Sequence, residues 1–290
     1  MKLVPVVTGH QSMIKNKINK GLDIADKNFK KLSIQVSLNG LSFCVADTVS
    51  HKVLMSDTLF FKEELNPIST KAELEKLFRK HKLDEQQFDD VVVVHRNTLF
   101  GLVPKPLFNA DTLAQYLRYN TTILANDELA YDELGNQDIV NVYVPYMNIN
   151  NYVYEIFGEF TYLHNGTVLI QSLLDLYGNQ KDPICYVHVG KGQMDVAVIS
   201  QRKLQLYNSF IFETKEDFAY FLLFVLEQLD LDTETVAVKL FGTIEEDDPI
   251  FELCYTYIKN IGIFVPSSPH HMELGEPQAE VIDFTVLNAL

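Results

Sequence analysis

Leu32-Ser-Ile-Gln-Val-Ser-Leu38, Asn39-Gly40 and Leu41-Ser-Phe-Cys-Val-Ala46 read as a strand, a turn and a returning strand. Leu32, Ile34, Val36 and Leu38 alternate with Ser33, Gln35 and Ser37, the two-residue period of a strand with one face in a core. Asn39-Gly40 predicts a two-residue hairpin turn with positive φ angles. The same unit recurs in Cys185-Tyr-Val-His-Val189, the turn Gly190-Lys191-Gly192, and Met194-Asp-Val-Ala-Val198. Gly40 and Gly192 are 152 residues apart, so the repeat is a duplication of half a chain and not a solenoid.

Each hairpin is followed by the same elements. In the first copy a third strand runs over 52–61, and Ser69-Thr70, with Glu73, predicts a capped helix whose apolar stripe is Leu74, Leu77 and Phe78. Val91-Val-Val-Val94 is apolar on both faces, as a central strand covered by helices should be. In the second copy the third strand covers 204–212, a helix about 215–229 and a strand 236–241. Between the copies the pattern predicts a helix over 111–119, an acidic strand within 127–137 with a turn at Gly135-Asn136, and a strand over 139–144. A helix over 148–157, a strand over 160–164 and a helix over 167–177 follow. Breaker-rich residues 178–183 mark a boundary between halves 25–178 and 179–290, with a flexible leader over 1–24. A helix near 249–259 and a strand over 262–266 close the readable part.

Composition bounds the function. The chain has 290 residues, enough for one large or two ordinary domains, with 47% hydrophobic and 22% charged residues. Its net charge is -15, yet residues 1–31 hold seven lysines against two aspartates, a net of +5, which leaves -20 for the rest. An acidic body repels phosphate backbones, which argues against a nucleic-acid partner. No run of 18 apolar residues exists, and Met1–Val7 is too short for a signal peptide, so a cytoplasmic protein without membrane insertion is expected. Cys44, Cys185 and Cys254 sit apart in apolar segments and read as reduced core thiols.

The duplicated order of elements resembles the actin-like ATPases, a duplicated ribonuclease H-like α/β fold with two β-β-β-α-β-containing halves around a cleft. Val91-Val-Val-Val-His-Arg-Asn-Thr-Leu-Phe-Gly-Leu-Val-Pro104, Val142-Tyr-Val-Pro145 and Val187-His-Val-Gly190 bring it nearest to the actin-like assembly proteins of type IV pili and type II secretion. Asn141-Val-Tyr-Val-Pro145 and His164-Asn-Gly-Thr-Val-Leu169 are similar to a Bacteroidota family with this fold and no assigned function.

In active members the first strand of each half ends in Asp-x-Gly, where the acid holds a hydrated metal and the glycine admits phosphate oxygens. Here the acidic positions fall on Gln35 and His188, and the glycines on Ser37 and Gly190. Neither side chain is a good magnesium ligand. The resemblance thus implies a non-catalytic protein-binding module that has lost nucleotide hydrolysis, needs no cofactor and acts on a protein partner. The alternative is an ATPase or small-molecule kinase with a displaced metal site, using Asp47, Asp57 or Asp195. If ATP binds at all, the cleft turns are the place: Asn39, Gly40, Gly190, Lys191, Gly192, Gln193 and the Gly242 of Phe241-Gly-Thr243. Lys191 is the evident positive charge there.

Other residues carry two readings. His164 suits a helix cap as well as catalysis. His270-His271 with Glu273 reads as a metal set or as plain surface, and Glu245-Glu-Asp-Asp248 as a solvated loop or a cation site. Tyr143, Tyr146, Tyr152 and Tyr154 read as packing or as an interface.

Overall fold

The computed structural model describes residues 29–119, 121–124, 127–267 and 282–290. The expected leader 1–24 and the His270-His271-Glu273 group lie outside them.

Two five-stranded sheets carry the duplication. In the first, β1 (Lys30–Val36), β2 (Gly40–Asp47) and β3 (Lys52–Phe60) form an antiparallel meander, and β4 (Asp90–His95) adds parallel to β1 after helix α1 (Pro67–His81). β8 (Thr161–His164) completes the order β3-β2-β1-β4-β8. In the second, β9 (Ile184–Gly190), β10 (Gln193–Ser200) and β11 (Lys203–Ile211) repeat the meander. Helix α5 (Lys215–Gln228) leads to β12 (Ala237–Gly242), and α6 (Pro249–Tyr255) leads to β13 (Ile261–Ile263). The order β11-β10-β9-β12-β13 is the first order again.

The first half differs by an insertion between β4 and α3 (Met147–Phe157). It holds a three-stranded sheet of β5 (Phe100–Pro104), β7 (Ile139–Tyr143) and β6 (Ala130–Leu134), with the short helix α2 (Leu113–Leu117). The predicted helix over 111–119 is thus one short turn after a 3-10 segment, Ala110–Thr112. β5 falls inside Leu99–Pro104, a run without clear alternation.

Helix α4 (Asn165–Tyr177) is the pin between the halves. Nine of its residues are buried, because Leu169, Ile170 and Leu173 pack in one cluster with Tyr143 of the insertion and Tyr186 and Phe241 of the second sheet. A helix apolar over most of its circumference has to be enclosed. Separate cores lie under α1 and α3 in the first half (Leu32, Ile34, Phe43, Leu74, Phe78) and under α5 and α6 in the second (Val187, Val196, Phe218, Leu222). After residue 282 the chain returns to the first half: α7 (Phe284–Asn288) buries Val286 and Leu287 against Cys44 and Ala46 of β2.

Two local expectations are corrected. Neither Asn39 nor Gly40 has a positive φ. β1 ends at Val36, and the loop is closed instead by the Ser37 backbone N–H and hydroxyl, both donating to Gly40 O at 3.0 Å. A serine hydroxyl that satisfies the turn carbonyl removes the need for the tight primed turn. Helix α1 begins at Pro67, not after Thr70. Asn66 caps it by accepting from Ser69 N, while Thr70 is buried and donates back to Asn66 O. Proline at the first helical position, with its φ already helical, moves the start upstream.

Candidate functional site

The two hairpin ends meet over one cavity of about 940 Å³. Asn39, Gly40, Gly190, Lys191, Gln193 and Gly242 all line it, and so do Gln35 and His188; Gly192 does not, and its carbonyl accepts from Phe212 N. Gly192 and Gly242 have φ of +67° and +96°. A Cβ at Gly242 would lie 2.4 Å from Val189 O, so only glycine fits there.

Strand register explains how the polar groups of the cleft come together. His188 pairs directly with Asp195 across the β9–β10 hairpin, and Asp195 with Ser209 across β10–β11. Residues opposite one another in antiparallel strands share a face, so these three side chains form one polar row. In the first sheet Gln35, Ser42 and Thr58 form the matching row.

Asp195 is 1% exposed and takes hydrogen bonds from Ser209 Oγ (2.7 Å), Asn165 Nδ2 (3.2 Å) and Tyr207 OH (3.3 Å). Its strongest partner comes from the other half: Arg96 Nη2 lies 2.8 Å from Asp195 Oδ2. Burial by itself would raise the Asp195 carboxyl, but the Arg96 guanidinium, His188 and the Ser209 hydroxyl outweigh it and hold the group below the usual carboxylate range. The same guanidinium packs on Gly190, where an added Cβ would sit 2.5 Å from Nη1. The glycine thus admits an arginine of the protein itself.

Asp283 approaches from the opposite side. Its Oδ2 accepts from Gln35 Nε2 at 3.1 Å and lies 3.7 Å from His188 Nε2, while His188 Nδ1 lies 3.7 Å from Asp195 Oδ2. Thr285, from the first turn of α7, places its hydroxyl on Gln35 Oε1. Burial would raise the Asp283 carboxyl, but His188 and Arg96 outweigh it and lower it. His188 stacks on Phe241 at 5.1 Å, which fixes the ring between the two acids.

Lys191 is not a free cation at the turn. Its ammonium donates to the carbonyls of Phe61 and Lys62 and ties the second half to the first. Gln193 Nε2 donates to Ser209 Oγ at 2.8 Å and so supports the Asp195 row.

The acidic groups on the cleft strands, and Gln35, are engaged within the protein. Gln35 carries no charge, its amide is engaged by Asp283 and Thr285, and Asp195 is matched by Arg96. Asp57 accepts from Lys80 and His81, and Asp47 from Val49 N and Ser50 N in the β2–β3 turn. Among the described residues no group of three His, Cys, Asp or Glu side chains converges on a point. Glu245–Asp248 lines the cavity rim, and Asp248 caps α6 by accepting from Ile250 N.

His164 caps α4: its Nδ1 accepts from Gly166 N, which leaves Nε2 to donate to Asn97 O at 3.1 Å, and burial holds the ring down to about 4. Tyr143 is fully buried and donates to Asp132, and Tyr152 packs on Phe78. Exposed aromatics lie elsewhere, at Tyr220 and Phe224 on α5 and Tyr255 on α6. Sequence reasoning missed three groups: Arg96, Asp283 and the buried Asp132. Arg96 had a signal, since it directly follows the central strand β4, at the carboxyl end where α/β sheets place their ligands. Asp283 had one only as a cap for α7.

The comparisons agree with this architecture. The family model described as "Protein of unknown function (DUF3822)" matches residues 19–261, and the chain belongs to that family. Among solved structures it is similar to a Bacteroides thetaiotaomicron protein with actin-like ATPase fold and unknown function, at a TM-score of 0.77 and 20% identity, over 93% of this chain and 99% of that one. It is also similar to a chain of the PilM-PilN type IV pilus biogenesis complex, at 0.61 and 11%, over 89% of this chain and 97% of that one. No curated protein matches. The fold is therefore the actin-like ATPase fold. No helix among the described residues is long and apolar enough to cross a membrane.

Proposed function

We propose that this DUF3822 member is a non-catalytic actin-like protein that works by binding a protein partner. The observation that carries the reading is the cleft's own chemistry. At the ends of β1 and β9, Gln35 and His188 stand in for the carboxylates of an active site, while Arg96 is paired with Asp195, Asp283 accepts from Gln35, and Lys191 donates to backbone. Phosphoryl transfer depends on a positioned metal and on donors that are free to meet developing charge. Here those donors hold the halves together. A displaced metal site would need a new ligand set, because Asp47, Asp57 and Asp195 each have partners.

A binding role is supported by two further points. The PilM-PilN structure is of a complex, so one chain of this fold meets a protein partner. On this chain, Tyr220 and Tyr255 are 63% and 61% exposed, and Tyr220 stacks on the exposed Phe224. Aromatic side chains of this kind are enriched in protein interfaces.

The test is nucleotide turnover and binding. Purified protein with Mg-ATP should release phosphate at the rate of a buffer blank, and millimolar Mg-ATP should leave the melting temperature unchanged. A ligand at 100 times its Kd would stabilise by about 2.7 kcal/mol. Phosphate release that scales with protein concentration would overturn the reading.

A further inference from the structure

The charge left open at the cleft cavity is acidic. Arg96, His188 and Lys191 line it, but Arg96 pairs with Asp195, His188 lies between Asp195 and Asp283, and Lys191 donates to the Phe61 and Lys62 carbonyls. Glu245, Glu246 and Asp247 line the same cavity and are exposed. Among the described residues their carboxylates have no hydrogen-bond or ion-pair partner. Residues 268–281 contain neither Lys nor Arg that would neutralise them. A second observation points into the cavity. Ser42 is 3% exposed, and its hydroxyl has no hydrogen-bond partner. It stands between Gln35 and Thr58 in the polar row of the first sheet, and all three line the cavity, so the hydroxyl faces the space a ligand would fill. Native proteins leave few buried polar groups unpaired. Much of the remaining wall is apolar, including Phe60, Ile244, Phe264 and Val265, and of these Phe60 and Val265 are exposed.

We propose that the cleft takes a lysine-bearing, otherwise apolar peptide segment of the protein partner, with its ammonium groups at Glu245, Glu246 and Asp247 and its backbone at Ser42. This deepens the partner-binding reading given above and rests on it. A lysine stem packs along apolar surface while its ammonium stays in water, which suits a cavity where apolar Ile244 adjoins Glu245. A peptide N–H has in Ser42 Oγ an acceptor that nothing in the protein uses. A cavity of about 940 Å³ is the size that takes a short peptide segment and not a single ion. Three unmatched carboxylates attract a basic segment and repel an acidic one or a nucleotide, so charge at the rim sets which partner docks.

The probe is a rhodamine-labelled peptide that alternates lysine with leucine, compared with the same peptide carrying glutamate for lysine. Binding to the full chain is read by fluorescence anisotropy at physiological salt. The wild type should bind the lysine peptide and not the glutamate peptide. Glu245→Gln, Glu246→Gln and Asp247→Asn together should weaken binding by about tenfold or more. They leave Asp248 to cap α6, so the fold is kept. The control removes equal charge from α5 and α6 by Glu216→Gln, Glu227→Gln and Glu252→Gln, and should weaken binding by less than about twofold, because salt screens distant surface charge. Ser42→Ala should weaken binding several-fold with no loss of melting temperature, since the hydroxyl it removes has no partner in the protein. Equal weakening in the rim and control variants would show a general attraction to an acidic surface and overturn the inference, as would a wild type that does not bind the lysine peptide. A tenfold gain in binding on Lys15→Gln, Lys17→Gln and Lys20→Gln in the full chain would make the chain's own leader the occupant and overturn it too. Nucleotide turnover is read separately: a failed peptide test without turnover leaves a partner that binds elsewhere, whereas turnover overturns the partner-binding reading itself.

Discussion

Arg96 and Asp195 join the two halves of the molecule through a 2.8 Å ion pair whose members are 6% and 1% exposed. Arg96 follows β4 in the first sheet, and Asp195 lies in the second strand of the second sheet. A buried pair of this kind contributes little net stability compared with apolar packing, but removing one member leaves a charge without its counterpart.

Arg96→Met should therefore lower the unfolding free energy by about 3–5 kcal/mol. The double change Arg96→Met with Asp195→Asn should recover a large part of that loss. Urea unfolding of the four proteins in the cycle checks it, and a loss in the double variant equal to the sum of the two single-variant losses would show that the pair is not coupled.

Lys191→Met should cost about 1–2 kcal/mol, the value of a charge-assisted hydrogen bond to backbone discounted for partial exposure. Its ammonium holds the carbonyls of Phe61 and Lys62 across the cleft. Hydrogen exchange should show faster opening at the β3–α1 connection while the second sheet stays protected.

Gly242→Ala should destabilise by roughly 1–3 kcal/mol, because a side chain is forced into a left-handed conformation and against backbone. The φ there is +96° and the new Cβ would fall 2.4 Å from Val189 O. Gly262→Ala is the control: its Cβ meets nothing within 4 Å, and its midpoint should be nearly unchanged.

Asp132 gives a pH dependence. It accepts from His164 N (2.8 Å), Thr167 Oγ1 (2.7 Å) and Tyr143 OH (3.1 Å), yet burial outweighs these bonds and raises its carboxyl to about 6. Its folded pKa is above its unfolded one, so the folded state binds the extra proton between them. Stability from this group should fall as pH rises from about 4 to about 6, by about 3 kcal/mol in all. Asp132→Asn should remove that slope. Unfolding free energies of both proteins at pH 4, 5, 6 and 7 check it, and parallel pH curves would refute it. Asp195 titrates in the opposite sense and below this window, so the two do not overlap.

Local sequence pattern determined the duplicated fold. Alternation in Leu32–Val36 and the apolar run Val91–Val94 each follow from the surroundings of a single strand, and those surroundings repeat in the second half. Pattern also placed Gln35 and His188 at the strand ends, because a strand's length sets where its last residue lies. The turn at Asn39-Gly40 and the start of α1 came out differently, since the Ser37 hydroxyl and Asn66 offered the backbone local partners that an idealised turn or capping box does not include. What fills the cleft was decided only by tertiary structure. Arg96 and Asp195 are 99 residues apart, and Gln35 and Asp283 are 248 apart. No spacing rule links such pairs, because they meet only where two independently formed sheets and a returning C-terminal helix pack around α4. Charge in a buried cleft is matched by whichever groups that packing brings within about 3 Å, and packing at this range is a property of the assembled fold.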